Sequence, residues 1–463
     1  MRFPASFRWG VATSAYQIEG GVDLDGRGPS IWDTFCETPG RVRNGATGAV
    51  AADHRRRMRD DVDLIASLGI GTYRFSVAWP RVQPSGRGAP NQPGLDFYRD
   101  LVDALLTHGI EPAVTLYHWD LPQALEDDGG WPVRATSGRF AEYAGLVGDA
   151  LGDRVGHWTT INEPWCSAML GYSAGVHAPG RTEPAAAVAA AHHLLLGHGL
   201  AVDALRDTVR TPDAEIGVDV NPYPVVAAGD REEDHDAARR VDGVANRLWY
   251  DAILQGRYPD DVLADFRAVS DLEHIRTGDL EQIARPIDAL GLNYYRRHHV
   301  RHAPGASAAG TTAQWPGSPD VDLVAPPGPV TSSGWAIEPD GLCEALRDVV
   351  SEYETPPLYV HENGAAFVDT VGPDGQIDDV GRTAFLEAHV RAAHDALASG
   401  VDLRGYFVWT LLDNFEWAEG YDPHYRYGIV HVDSETLERT PKASARWYSE
   451  LARTGSLSPL VDR

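Results

Sequence analysis

Residues 158–164 read WTTINEP. The threonines and the isoleucine suit a buried strand, because β-branched side chains fit a pleated surface. Pro164 cannot donate to a strand ladder, so the strand ends there. Glu163 is left at the carboxyl end of an apolar strand. Glu362 occupies the same kind of place, after the apolar run of PLYVHEN at residues 357–363. Carboxyls at the ends of separate strands can face one another across a barrel. On an uncharged substrate such a pair points to glycoside hydrolysis. One carboxyl is protonated and gives its proton to the leaving oxygen, while the other is ionised and attacks or activates water. Opposed environments produce that division. Arg74, near the end of another predicted strand, is a fixed cation that would keep Glu362 ionised. Burial beside Trp165 and Asn162 would raise the pKa of Glu163.

More polar and aromatic groups fall at predicted strand ends: Gln17 and Glu19, His118 and Trp119, Asn293 and Tyr295, and Asn363. Each of these, once buried, needs a hydrogen-bond partner. A single one reads as a satisfied structural group. The set, converging on one rim, reads as a site.

The elements that must position them alternate regularly. Predicted strands cover 8–15, 72–79, 111–119, 157–163, 214–220, 287–295, 357–363 and 404–413. Helical patterns lie between them. One places Val62, Ile65 and Leu68 on a stripe and stops at Gly69; the next does the same with Phe97, Leu101, Leu105 and Leu106 and stops at Gly109. Eight β-α units predict a parallel sheet closed as a (β/α)8 barrel, which leaves no edge strand. A doubly wound open sheet is the alternative. No linker divides the chain, so a single catalytic domain over 1–463 is expected. From 296 to 334 the sequence is rich in Gly, Ala, Pro and Ser. It is expected as a long irregular connection that either walls a pocket or stays a surface loop.

Composition removes other classes. The 463 residues carry a net charge of −27, which argues against nucleic acid. The basic residues are nearly all arginine, with Lys442 the single lysine. We attribute this to coding bias; an acidic, salt-adapted surface is the other reading. Three widely spaced cysteines, Cys36, Cys166 and Cys343, form neither a disulfide framework nor a zinc knuckle. A reducing compartment follows, and the expected location is cytoplasmic. The first residues show no apolar signal region, and no apolar run of 18 residues or more predicts a membrane span. His192, His193 and His198 lack the arrangement of a zinc protease. No metal and no cofactor is expected.

The blocks FRWGVATSAYQIEG, YRFSVAWPRV, LYHWDLPQAL, TINEPW, GLNYY, ENG and WTLLDNFEWAEGY occur in that order. Together they resemble family 1 of the glycoside hydrolases, the retaining β-glucosidases, and span Phe7 to about Tyr448. The resemblance implies a general acid and base at Glu163 and a nucleophile at Glu362. It implies that Asn162 binds the sugar's 2-hydroxyl. Gln17, His118, Trp409, Glu416 and Trp417, with Trp119, would line the glycone pocket. Arg74, Asn293 and Tyr295 would orient and tune Glu362, and Trp335 would be the aromatic platform for the leaving group. Cys166 would lie near the pocket mouth. Glu416 implies an unphosphorylated sugar, since members acting on 6-phosphosugars carry a small polar residue there. The implied activity is retaining exo-hydrolysis of terminal β-glucosyl residues, with β-galactosyl and β-fucosyl substrates also within the family. Its partners would be small β-glucosides or oligosaccharides.

The chain departs from the family pattern in two places. His361 precedes the nucleophile where threonine is usual; it either shifts the nucleophile's pKa or packs, and packing is the preferred expectation. The stretch DPHYRYG is longer than usual, which makes Tyr427 the pocket aromatic, with Tyr425 the alternative. A transglycosylase and a non-catalytic sugar-binding barrel are the rival functions.

Overall fold

The computed structural model describes residues 1–306, 312–373 and 375–457. Eight parallel strands close into a barrel in chain order, the last pairing with the first. They are β1 Arg8–Ala12, β2 Thr72–Ser76, β3 Glu111–Tyr117, β4 His157–Asn162, β5 Glu215–Val220, β6 Ala289–Asn293, β7 Leu358–Asn363 and β8 Leu403–Trp409. All eight predicted strands are present, and the (β/α)8 reading holds. Several end earlier than predicted. The residues that follow turn out of the ladder and form the rim. Gln17 thus lies on a short helix, Ala15–Ile18, and not on β1 itself.

Longer helices surround the barrel: α1 His54–Ser67, α2 Gln92–Thr107, α3 Ala135–Leu151, α4 Pro184–Thr208, α5 Pro339–Glu352, α6 Val380–Ala398 and α7 Ala443–Thr454. The predicted stripe of Val62, Ile65 and Leu68 is buried, as are Phe97, Leu101 and Leu105. Leu106 is instead exposed. It follows Leu105 by one position, about 100° around the helix, and so leaves the buried face. By length and composition α4 is apolar enough to cross a membrane, although His192, His193 and His198 interrupt its apolar run. Its alanines and leucines pack inside the protein, with 78% of the apolar window buried.

Inside the barrel, Ala113, Ala289, Tyr359 and Phe407 fill the floor. Two large rings fit because small residues face them, in the alternation usual for barrel layers. The connection after β6 is less irregular than predicted. Residues His298–His302 pair antiparallel with Val321–Val324 and parallel with Val225–Ala227, forming a three-stranded sheet above the rim. Trp315 anchors it, buried against Trp165 at 5.3 Å and His298 at 5.5 Å between ring centroids. Part of the predicted connection, residues 307–311, lies outside the described residues.

Candidate active site

A cavity of about 350 Å³ opens at the carboxyl ends of the strands. Glu163 and Glu362 both line it. Glu163 stands where β4 stops, with φ at 46°, a left-handed conformation that non-glycine residues adopt at a cost. Its backbone N–H donates to the Asp219 carbonyl at 3.0 Å. Its carboxyl oxygens receive the Asn293 amide at 2.7 Å and the Cys166 thiol at 3.0 Å. Glu362, on β7, receives Arg74 Nη1 at 2.8 Å and the Tyr295 hydroxyl at 2.8 Å. Burial pushes both carboxyls up. Arg74 pulls Glu362 back down, and each carboxylate raises its neighbour's cost of ionising. Only Glu362 has a cation in contact. The shared negative charge therefore belongs on Glu362, and the proton on Glu163.

Arg74 and Asn293 tie the two together. Arg74 Nη2 donates to Asn162 Oδ1 at 2.6 Å, and Asn293 Nδ2 donates to the same oxygen at 2.9 Å. The Asn162 amide lies 3.2 Å from His118 Nε2 and donates to it. Burial, with Arg74 nearby, holds the His118 imidazole well below its ordinary pKa, so it is neutral and can accept. Trp119 donates its indole N–H to the Asn162 carbonyl at 3.0 Å.

Beyond Glu362 the cavity is walled by Glu416, Trp409 and Trp417. His118 stacks between the two indoles, 5.5 and 6.0 Å from them. Burial pushes the Glu416 carboxyl up to about 8, with the Glu362 charge adding to it. Across from them, Tyr295 packs edge to face with Trp335 and Tyr427, which meet each other at a tilt. Tyr427 is buried on the cavity wall and Tyr425 also reaches it. Gln17, Asn162 and Asn293 are buried, and Gln17 and Asn293 reach the cavity-lining carboxyls Glu416 and Glu163. The Gln17 amide nitrogen is placed among Phe415 O at 3.0 Å, Asn414 Oδ1 at 3.2 Å and Glu416 Oε2 at 3.3 Å. Glu19 and Asn363 are turned to structural work. Glu19 receives Arg81 and Tyr98, and Asn363 receives Tyr406 and donates to the Tyr294 carbonyl.

Several groups at the site were not read from the sequence. Asp219, buried on β5, is an ion-pair partner of Arg74 and lies beside Asn162 in register. Its signal was a lone carboxylate within an apolar strand. His361 does not simply pack, as expected. Its Nδ1 lies 2.6 Å from Asp219 Oδ1 and its Nε2 lies 3.0 Å from His157 Nε2. A buried imidazole in the barrel interior needs partners for both nitrogens, and the non-adjacent strands β5 and β4 supply one each. The outer wall, formed by Trp165, Tyr223, Arg296, His298 and Gln314, comes from the connections after β4, β5 and β6.

His192 contacts Tyr258 and Asp279, His193 the Trp131 carbonyl, and His198 the Thr160 hydroxyl; all three are buried structural groups. Asp369, Asp413 and His431 come close enough to hold a cation. The Lys442 ammonium fills that role, 2.6 Å from Asp369 and 2.8 Å from Asp413.

The profile of the family described as Glycosyl hydrolase family 1 matches residues 1–456. The chain is 45% identical over 457 residues to Beta-glucosidase A of Thermotoga maritima, covering 98% of this chain and 99% of that one. It is 46% identical over 461 residues to a bifunctional beta-D-glucosidase/beta-D-fucosidase of Bifidobacterium breve, covering 97% of each. Among solved structures, the family 1 β-glucosidase from Thermotoga maritima superposes with a TM-score of 0.93, covering 99% of both chains. The same enzyme in complex with glucoimidazole gives 0.92, covering 98% of this chain and all of that one. With the paired carboxyls at the mouth of a closed β/α barrel, and similarity along nearly its whole length, this chain belongs to glycosyl hydrolase family 1.

Proposed function

We infer that the protein is a retaining β-glucosidase, removing terminal β-D-glucosyl residues from small glycosides and oligosaccharides. One observation carries this reading: two buried carboxyls share one cavity, and only one of them touches a cation. Glu362 is held as a carboxylate by Arg74 and Tyr295. One of its oxygens attacks the anomeric carbon. The bond to the leaving oxygen breaks as Glu163 gives that oxygen its proton. A covalent glycosyl ester on Glu362 results. Glu163, now ionised, takes a proton from water, and the hydroxide oxygen displaces the ester with a second inversion. The sugar leaves with its β configuration kept, and both carboxyls return to their starting states.

The sugar's apolar face suits the indoles of Trp409 and Trp417, and its hydroxyl edge suits Glu416. A carboxyl at 416 also disfavours a 6-phosphate, which supports an unphosphorylated glycone. The relative named as both a glucosidase and a fucosidase supports some tolerance at the glycone. Free Cys36, Cys166 and Cys343 support a cytoplasmic location. The test is a panel of aryl β-glycosides followed with anomer-resolved detection. β-Glucose as first product is the expected result. α-Glucose first, or no turnover of any β-glycoside, overturns the reading. Transfer to added sugar acceptors, measured in the same panel, gives the share of transglycosylation.

A further inference from the structure

The floor of the site holds a chain of polar groups running down the barrel interior. From the top, Glu362 pairs with Arg74 and Arg74 with Asp219. Asp219 Oδ1 lies 2.6 Å from His361 Nδ1, and His361 Nε2 lies 3.0 Å from His157 Nε2. His157 Nδ1 lies 3.1 Å from Glu215 Oε2, and Glu215 pairs with Arg8 at the lower mouth. Both imidazoles are buried. The slot is built for them. A Cβ on Gly291 of β6 would come within 2.0 Å of Asp219 Oδ1 and 2.3 Å of His361 Nδ1.

Counting protons fixes the charge. An ionised carboxylate has none to donate, so each Nδ1 must carry a hydrogen toward its acid. The two Nε2 atoms, 3.0 Å apart, attract only if one of them carries a third. Two neutral rings hold two such hydrogens; this pair needs three. We propose that His157 and His361 form one shared imidazole–imidazolium unit with a single positive charge, which positions Asp219 and through it Arg74 and the nucleophile.

The surroundings agree with that placement. Asp219, Glu215 and the Tyr359 ring contact the pair, and Arg74, Arg8 and Arg404 stand beyond them on the two carboxylates, with Glu362 and Glu111 behind Arg74 and Arg8. Burial pushes the His361 ring down to about 4 against the pull of Asp219, while Glu215 faces the other ring of the pair. Burial would raise Glu215, but His157 and Arg8 outweigh it and hold that carboxyl at about 2. His361 and His157 touch no reacting atom and are positioning residues. Without their charge, Asp219 is left to rely on Arg74 alone. It then draws Arg74 away from Glu362 and makes the nucleophile harder to ionise.

The inference rests on Glu362 being the nucleophile, and the experiment separates the two claims. His361→Gln and His157→Gln keep hydrogen-bonding capacity but remove the charge. Each is expected to move the acid limb of kcat/KM to higher pH by about half a unit, lowering the rate below it about threefold with KM little changed. Because one charge is shared, the double variant is expected to match either single one. Folded variants whose acid limb stays in place overturn the proposal, as does a double variant with twice the shift. Nitrogen NMR of the histidine-labelled wild-type protein counts the protons directly and needs no variant. Three ring N–H groups on the pair are expected, and two would overturn it. If Glu362→Ala kept ordinary turnover, the nucleophile assignment would fail while the proton count still stood.

Discussion

The two ends of the cavity are built differently. At the proposed glycone end, Glu362, Arg74, Asn162, Glu163 and Asn293 stand on or at the ends of barrel strands and are tied to one another by short hydrogen bonds. The proposed aglycone wall is carried by connections. Trp335 and Arg296 stack there, the guanidinium 4.6 Å above the indole. No described acidic residue pairs with Arg296, and burial lowers its pKa. The Arg296 Nε, the Trp165 and Trp315 indole N–H groups and His298 Nε2 are buried with no hydrogen-bond partner. Strand ends fixed by a closed ladder can hold reacting groups in one geometry. A wall of connections with unspent donors can take leaving groups of different shape. The chemistry is thus fixed where the backbone is fixed, and selectivity is adjustable where it is not.

The largest expected effect breaks the glycone end. Glu362→Ala should lower kcat by about 10⁴-fold or more on every substrate, because it removes the attacking atom. Glu163→Ala should cost about 10²–10⁴-fold with poor leaving groups and little of the first step with very acidic ones. Steady-state kinetics across aryl glucosides of graded leaving-group pKa separates the two; equal losses on all substrates for both variants would remove their division of labour. Next, Glu416→Ser should lower kcat/KM for glucosides by about 10²-fold, as a buried sugar hydroxyl loses its partner. It should also narrow the gap to 6-phosphoglucosides.

The aglycone end should respond less. Arg296→Met is expected to leave neutral aryl glucosides within about threefold of wild type. It should cost a carboxylate-bearing aryl glucoside about tenfold, the size of a hydrogen bond to a charged group. Comparing 4-carboxyphenyl with 4-carbamoylphenyl glucoside reads this out, and an unchanged ratio would mean that the guanidinium only packs on Trp335. The smallest effect is on stability. Glu416 has a folded pKa of about 8, above the roughly 4.3 of a free glutamate. The folded state therefore binds the extra proton between those values, and the group's contribution to stability falls as pH rises through that window. Glu416→Gln cannot ionise. Its melting temperature should match wild type near pH 5 and exceed it by pH 8, as thermal unfolding at the two pH values would record.

The sequence alone settled the barrel and pointed to the two carboxyls. Strand periodicity, the proline after Glu163 and the ordered motif blocks are local properties, and they survive without coordinates. Trp409, Trp417, Glu416 and Tyr427 were found the same way, by resemblance along the chain. What the sequence did not yield depended on distance between strands. Asp219 looked like an isolated acid on β5, and His361 like a packing residue, because their partners lie 60 or more positions away in the chain. That the Gln17 amide meets Glu416 was equally hidden, since the turn after β1 decides which way its amide faces. The structure decided which of two buried glutamates touches the cation. Electrostatic environment is set by neighbours in space, and closing eight strands into a ring is what makes Arg74, Asp219 and Glu362 neighbours.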